Sequence, residues 1–288
     1  MLMRVKRQPA IASTIVIVVY MLYACGPLLW LVASSLKDRQ ELFVWPPSLV
    51  FTPDLSSYRA VFGLGEAAQT ATAEGLVDAL LNSVIISGVG TFLAVALGSL
   101  AGYACSRFAF RGRDDFMFFA LSTRMIPPVA VLVFYHMMYS WLGLSDSRLG
   151  LILVITFINL GLATWIMKGF FDGVPQEVEN IALVNGYTRL YAFWNLVLPM
   201  VKGGIAATAG FCFIFAWNEF AFSSILATTR AKTLPVKISS SMGATGIEWA
   251  QICAAGVVLV IPVAIFFWLI RKYLLMGMTF GVLGRART

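Results

Sequence analysis

Residues 174–199 read VPQEVENIALVNGYTRLYAFWNLVLP, a polar stretch with helical periodicity that lies between two long hydrophobic runs. Val178, Ile181 and Ala182 begin an apolar pattern that predicts one or two short amphipathic helices. Gly186 interrupts this pattern where a turn needs a residue that tolerates positive φ. Pro199 marks the entry to the next hydrophobic run. A segment of this length and regularity is more typical of a docking surface than of a tether.

The composition places the chain among membrane proteins. Of its 288 residues, 59% are hydrophobic and 12% are charged, and the mean hydropathy is +0.84. A helix that crosses a bilayer needs about 20 apolar residues, and six runs meet this length. We therefore predict an all-α, polytopic membrane protein with a single domain over residues 1–288 and a cytoplasmic loop at 172–202. The six predicted spans are residues 12–36, 82–106, 116–140, 149–171, 203–227 and 250–275.

The distribution of Lys and Arg predicts the orientation. With six spans, thirteen of the 21 basic residues lie on the side of the termini and seven on the other side, while Arg124 lies within a span. Because cytoplasmic loops carry the excess of positive charge, both termini and the 172–202 loop are expected in the cytoplasm. This bias accounts for the net charge of +7, so lipid is an expected partner and nucleic acid is not.

Sequence motifs of common catalytic sites are absent. The chain has no G-x-x-x-x-G-K-[ST] phosphate loop, no HExxH, no CxxC pair and no G-x-S-x-G. The four cysteines have no metal-ligand spacing, so no metal site is predicted. The single histidine, His136, has only Tyr135 beside it as a partner for acid–base chemistry. We therefore expect neither an enzyme nor a bound cofactor.

One ionisable residue falls near the middle of the third predicted span. Arg124 precedes Pro127 and Pro128, which remove backbone donors and should kink or unwind the helix. Broken helices at mid-membrane often line solute sites. Arg124 is therefore a candidate for lining a cavity, and the alternative is a structural ion pair with a carboxylate.

The fifth predicted span carries a second polar group. Trp217, Asn218 and Glu219 place an aromatic ring beside an amide and a carboxylate, a combination that suits a sugar. The alternative is hydrogen bonding between helices, with Glu219 paired to Arg124. The possible solute pathway therefore comprises Arg124, Pro127, Tyr135, Trp217, Asn218 and Glu219.

The 174–199 stretch resembles the cytoplasmic loop motif of ATP-binding-cassette importer permeases, EAA-x3-G-x9-I-x-L-P. The EAA positions are residues 180–182, the glycine is Gly186, and residues 196–199 read LVLP without a gap. The resemblance covers nearly the whole chain and favours the carbohydrate branch, in particular the shorter permease of maltose-type importers. Its other elements are SSLK at 34–37, WPP at 45–47, Tyr58, NS at 82–83, GYA at 102–104, FRG at 110–112, MIP at 125–127, WNE at 217–219 and GMTFG at 277–281.

This resemblance implies the partners and the mechanism. The loop would dock on an ATP-hydrolysing subunit, and two such subunits would supply ATP and Mg²⁺ chemistry. A second homologous permease would supply the other half of the pore, and an extracytoplasmic binding protein would deliver a sugar or polyol. The residues expected to couple transport to ATP hydrolysis are Glu177, Glu179, Asn180, Ala182, Gly186, Leu198 and Pro199.

The chain departs from the motif at its first position. Asn180 replaces the glutamate, so Glu177 or Glu179 would have to supply a charge to the ATPase, and Ile181 replaces a small alanine. Two other functions are considered. The first is an importer permease for an anionic sugar, a phosphate ester or an amino acid, and the second is an autonomous secondary transporter. The second lacks acidic residues within the spans other than Glu219.

Overall fold

The computed structural model describes residues 10–64, 75–241 and 248–284, which form helices and no strand. Four helices are long and apolar enough to cross a membrane, and two bent helix pairs raise the number to six if each pair is one span. The prediction of an all-α polytopic protein is therefore confirmed. The helices are α1 Ala10–Ser35, α2 Arg39–Leu42, α3 Ser56–Val61, α4 Leu76–Arg107, α5 Arg113–Ser122, α6 Pro128–Trp141, α7 Arg148–Asp172, α8 Glu177–Val184, α9 Arg189–Ala192, α10 Leu198–Met200, α11 Lys202–Trp217, α12 Ala221–Leu226, α13 Leu234–Ser241 and α14 Trp249–Gly284.

The chain divides into two compact units. The first contains residues 1–77 and 238–260, and the second contains residues 78–237 and 261–288. In the first unit, the Ser35 hydroxyl bonds to the hydroxyl of Tyr58 at 2.6 Å. The buried Lys37 ammonium donates to the Ser48 carbonyl at 2.7 Å and lies about 5 Å from the ring centroids of Trp30 and Phe51. These contacts hold the loop after α1 against the end of that helix.

In the second unit, α4 and α7 approach closely along a stripe of glycines. A Cβ added to Gly98 would lie 2.6 Å from the Cβ of Ala163, and one added to Gly102 would lie 2.8 Å from the backbone nitrogen of Lys168. Small residues at this spacing let two membrane helices bring their backbones together.

The third predicted span is a broken helix, and a second bend lies just before the fifth predicted span. Residues Arg113–Met125 and Pro128–Trp141 differ in direction by 95°, because Pro127 and Pro128 end the short 3₁₀ turn after α5 that contains Arg124. Segment Arg189–Met200 is bent by 75° from Lys202–Trp217. The break at the prolines was predicted, although the sharp change of direction was not.

The predicted bounds of the fifth span are wrong at its C-terminal end. We expected residues 203–227, but α11 ends at Trp217 and α12 begins at Ala221. The Glu219 carboxylate accepts the backbone N–H groups of Phe222 and Ser223 at 2.8 and 3.0 Å. It therefore caps α12 and starts a new helix where hydropathy alone predicted continuity.

A polar clamp holds the loop after α12. The fully buried Asn82 donates to the carbonyls of Arg230 and Lys232 at 2.8 and 2.9 Å. The Asp146 carboxylate accepts the backbone N–H groups of residues 229–231 at 3.0–3.1 Å. Burial alone would raise the pKa of Asp146, but these hydrogen bonds outweigh it, and the net effect lowers the pKa. The Asp146 carboxylate therefore stays negatively charged at neutral pH.

We expect Gly98→Ala to lower the free energy of unfolding by about 1–3 kcal/mol, because the new methyl group would overlap Ala163 on α7. Gly88→Ala is the matched control on the same helix, since a Cβ at Gly88 has no atom within 4 Å. Thermal denaturation in detergent measures both variants. Equal melting temperatures for the two would contradict the close approach of α4 and α7.

Candidate functional site

The segment that connects α7 to α11 forms an ordered helix–turn–helix. Glutamates at 177 and 179 lie in the first turn of α8, where negative charge is favourable. Gly186 follows the end of α8 with φ +82°, and the N–H groups of Gly186 and Tyr187 donate to the carbonyls of Leu183 and Ala182 at 3.0 Å each. This pattern is a Schellman cap, and it confirms the turn predicted at Gly186.

Helix α9 begins directly after this turn. The Thr188 hydroxyl accepts the N–H of Tyr191 at 3.2 Å, which is a helix N-cap. The rings of Tyr187 and Tyr191 stack with centroids 4.4 Å apart, and the Arg189 guanidinium lies 5.3 Å from the ring centroid of Phe108. Local side chains therefore fix both the direction of the turn and the faces of the two helices.

Glu179 anchors α8 to α4 through a buried ion pair. Its side chain and that of Arg107 are 7% and 5% exposed. One carboxylate oxygen accepts from Nε of Arg107, and the other accepts from the Tyr103 hydroxyl at 2.6 Å. Arg107 also donates to the Val174 carbonyl at 2.9 Å. Because Glu179 is engaged within the chain, it has no free oxygen edge to offer an ATPase.

Apolar packing extends this anchor. The Phe193 ring lies 4.6 Å from that of Tyr103 by centroid distance, and both belong to a buried cluster that also contains Met167, Phe171 and Val197. A second polar contact lies nearby, where Asp172 accepts from Lys168 and from Ser106 at 2.7 Å each. The ends of α4 and α7 and the connecting segment therefore form one packed body.

The opposite face of the segment is apolar and exposed. We call it the coupling surface, and it comprises residues with 51–88% of their surface exposed, which are Ile181, Val184, Tyr187 and Leu190. Glu177 and Asn180 are exposed beside it. Exposed apolar residues grouped in one short segment are typical of an interaction site.

The predicted coupling residues therefore separate into two groups. Glu177, Asn180, Gly186 and Pro199 are exposed, whereas Glu179 and Ala182 are buried against the chain and Leu198 is partly buried. Sequence reasoning missed Tyr103 and Arg107 as partners of Glu179. Their spacing of four residues on one helix face was the available signal.

The residues proposed to line a solute pathway lie at two helix breaks, except Tyr135, which lies within α6. Pro127 is exposed before α6, and the partly buried Tyr135 ring packs on Phe222 with centroids 5.2 Å apart. Trp217 is only 2% exposed, so in this conformation its ring is closed to a solute. Asn218 is exposed and donates to the Ile214 carbonyl at 2.8 Å.

Arg124 does not pair with Glu219. Its Nη1 donates to the Ile158 carbonyl at 3.3 Å and to the Asn159 side-chain oxygen at 3.2 Å. Its guanidinium carbon lies 3.9 Å from the ring centroid of Phe215. Glu219 is instead the cap of α12, as described above. The alternative of an ion pair between Arg124 and Glu219 is therefore wrong, because local backbone donors take the carboxylate.

Comparisons with known proteins identify one matching family and several similar permeases. The model of a family described as "binding-protein-dependent transport system inner membrane component" matches residues 94–278. The trehalose/maltose transport system permease protein MalG of Thermococcus litoralis is 30% identical over 89% of this chain and 90% of its own length. The trehalose transport system permease protein SugB of Mycobacterium tuberculosis is 30% identical over 90% of this chain and 92% of its own length.

A solved structure has the same fold. It is a chain of a bacterial ABC transporter involved in the import of the acidic polysaccharide alginate, with a TM-score of 0.77 and 20% sequence identity. The match covers 95% of this chain and 99% of that chain.

We expect Glu179→Gln to lower the free energy of unfolding of the chain by about 3 kcal/mol, because it leaves the buried Arg107 without a counter-charge. The control is Glu177→Gln on the same helix, where the side chain is exposed and the expected change is below about 0.5 kcal/mol. Thermal unfolding in detergent measures both. If the two variants unfold at the same temperature, Glu179 is not an anchor.

Proposed function

The chain belongs to the family of inner membrane components of binding-protein-dependent transport systems, and on this premise we propose that it is a permease subunit that couples ATP hydrolysis on partner subunits to the import of a sugar or polyol. The observation that carries the proposal is the coupling surface, an exposed apolar face whose opposite side is anchored to the membrane helices by Glu179.

An ATPase subunit is the partner that this surface fits. The chain has no phosphate loop of its own, so ATP and Mg²⁺ would bind to two partner subunits, and this chain would bind no cofactor. Ile181 and Val184 would enter an apolar cleft of the ATPase. Exposed Glu177 stands where it can pair with a basic residue of the ATPase, which compensates for Asn180 at the motif's glutamate position.

The anchor supplies the mechanical link. When the ATPase subunits close, a push on α8 would pass through Glu179 to Arg107 and Tyr103 at the end of α4. The packed Phe193 would carry the same displacement to α7. A close-packed core such as this buried cluster moves as a unit when it is pushed and does not deform continuously. The two halves of the pore would thereby switch between inward-facing and outward-facing states.

The remaining partners follow from the same proposal. A second homologous permease would complete the pathway, and an extracytoplasmic binding protein would deliver the solute to the side opposite the coupling surface. Both termini and the 172–202 segment would lie in the cytoplasm, as the charge bias predicts. The terminal residues 1–9 and 285–288 lie outside the described residues.

A carbohydrate is the proposed solute because two relatives at 30% identity over nine tenths of the chain are named as trehalose or maltose permeases. The second candidate is an anionic sugar, which the unneutralised Arg124 favours. An autonomous secondary transporter is disfavoured because Glu219, the acidic residue at the end of α11, is fully occupied as a helix cap.

We expect Val184→Asp to prevent co-purification of the ATPase with the tagged chain, because it places a charge on a side chain that is 88% exposed at the centre of an apolar contact. Leu49→Asp, at an 83% exposed position in the loop after α1, is the matched control and should retain the ATPase. Loss in both variants, or in neither, would contradict docking at the coupling surface.

Deletion of the chain tests the transport function. Cells that lack it should lose uptake of one carbohydrate, and a copy of the chain should restore that uptake. Purification of the tagged chain should recover a second permease and ATPase activity. Unchanged uptake of every carbohydrate, or transport by this chain alone under a proton or sodium gradient, would overturn the proposal.

A further inference from the structure

Arg124 lies in the turn between α5 and α6, at the level of the middle of α7. Its partner Asn159 is eleven residues after the start of α7 and thirteen before its end. At 1.5 Å per residue this places the pair about 16 Å from the nearer end of the helix. Half of the hydrocarbon thickness is about 15 Å, so lipid headgroup phosphates are out of reach of the guanidinium.

The guanidinium is held on one side and free on the other. Both hydrogen bonds go through Nη1 to neutral oxygens, and the Phe215 ring covers one face. Within the described parts of the chain, Nε and Nη2 of Arg124 make no hydrogen bond. The residue is partly exposed, and the donor edge formed by Nε and Nη2 is the part of the guanidinium that keeps its capacity to bind a ligand.

No carboxylate of the described residues neutralises this charge. Among the described residues, ion pairs join Arg107 to Glu179, Arg113 to Asp114 and Lys168 to Asp172. Glu219 is committed to Phe222 and Ser223. A cation at this depth is costly unless it faces a water-filled cavity or an anion.

A neighbouring side chain fixes the orientation of the guanidinium. Asn159 is 2% exposed; its amide nitrogen donates to the Cys212 carbonyl at 3.5 Å, which turns its oxygen toward Arg124. Asn159 is thus a positioning residue. The arrangement presents two parallel N–H donors, which match the two oxygens of a carboxylate or sulfonate.

We propose that Arg124 binds the anionic group of an acidic sugar as it passes through the permease, with Asn159 and Phe215 holding the guanidinium in place. This inference rests on the proposed carbohydrate transport and narrows its substrate class. A single charged contact beside an open path gives selectivity for an anion while still permitting release, as transport requires.

The test compares methyl glucuronoside with methyl glucoside, which differ only at C6. Binding of each to the assembled transporter in nanodiscs is measured by saturation-transfer NMR, and carbohydrate uptake is measured in proteoliposomes that contain the same complex and its binding protein. We expect wild type to prefer the glucuronoside by about tenfold. Arg124→Gln should reduce the preference below about twofold, and Arg124→Lys should retain part of it. Arg111→Gln removes an exposed arginine outside the spans and should match wild type.

Three results would overturn the inference. The first is an equal preference in Arg124→Gln and wild type. The second is the absence of any preference in wild type; if neutral carbohydrate uptake is normal, this leaves the proposed function intact, and if all carbohydrate uptake is absent, the proposed function fails with it. The third is loss of the second permease from Arg124→Gln but not from Arg124→Lys, which would assign the charge to a contact between subunits.

Discussion

The buried contact of Glu179 with Arg107 and Tyr103 is the constraint on which the rest of the account depends. Without it, α8 would be a short amphipathic helix on a flexible loop, since eight residues are too few to be stable alone. Both side chains of the ion pair are buried, so the pair is stable only while the two groups keep their hydrogen-bonded geometry. It thereby makes an exposed apolar face part of the same packed body as two membrane helices.

Arg124 and Glu219, for which an ion pair was one alternative, have separate roles in the structure. Glu219 satisfies backbone donors at the start of α12, which is a structural task. Arg124 is held by neutral groups and keeps part of its donor edge free. The separation explains how a nearly apolar region can contain one carboxylate and one arginine without an ion pair between them. It also leaves Arg124 as the positive charge that a passing solute would meet.

Short-range rules account for the features that were predicted correctly. Gly186 occupies a positive-φ turn, which few other residues adopt without strain. The prolines at 127 and 128 break their span because the missing donors act locally. The side chains that were misjudged have partners far away in the sequence, or they form hydrogen bonds with backbone groups that the sequence pattern does not reveal. Glu179 was considered as a source of charge for the ATPase, since its partners within the chain lie more than 70 residues earlier. Trp217 was considered part of the solute pathway, although packing covers its ring.

The central claim is that α8 and the end of α4 move as one body during the ATP cycle. Spin labels at Asn180 and Phe110, both exposed, report the distance between these two parts by double electron–electron resonance. The labels are introduced as cysteines after the exposed Cys25 and the partly exposed Cys253 are replaced. In the assembled transporter that retains uptake, the account predicts the same distance distribution without nucleotide and with bound ATP. A distribution that shifts or broadens with ATP would show that α8 moves independently of α4 and would contradict the claim.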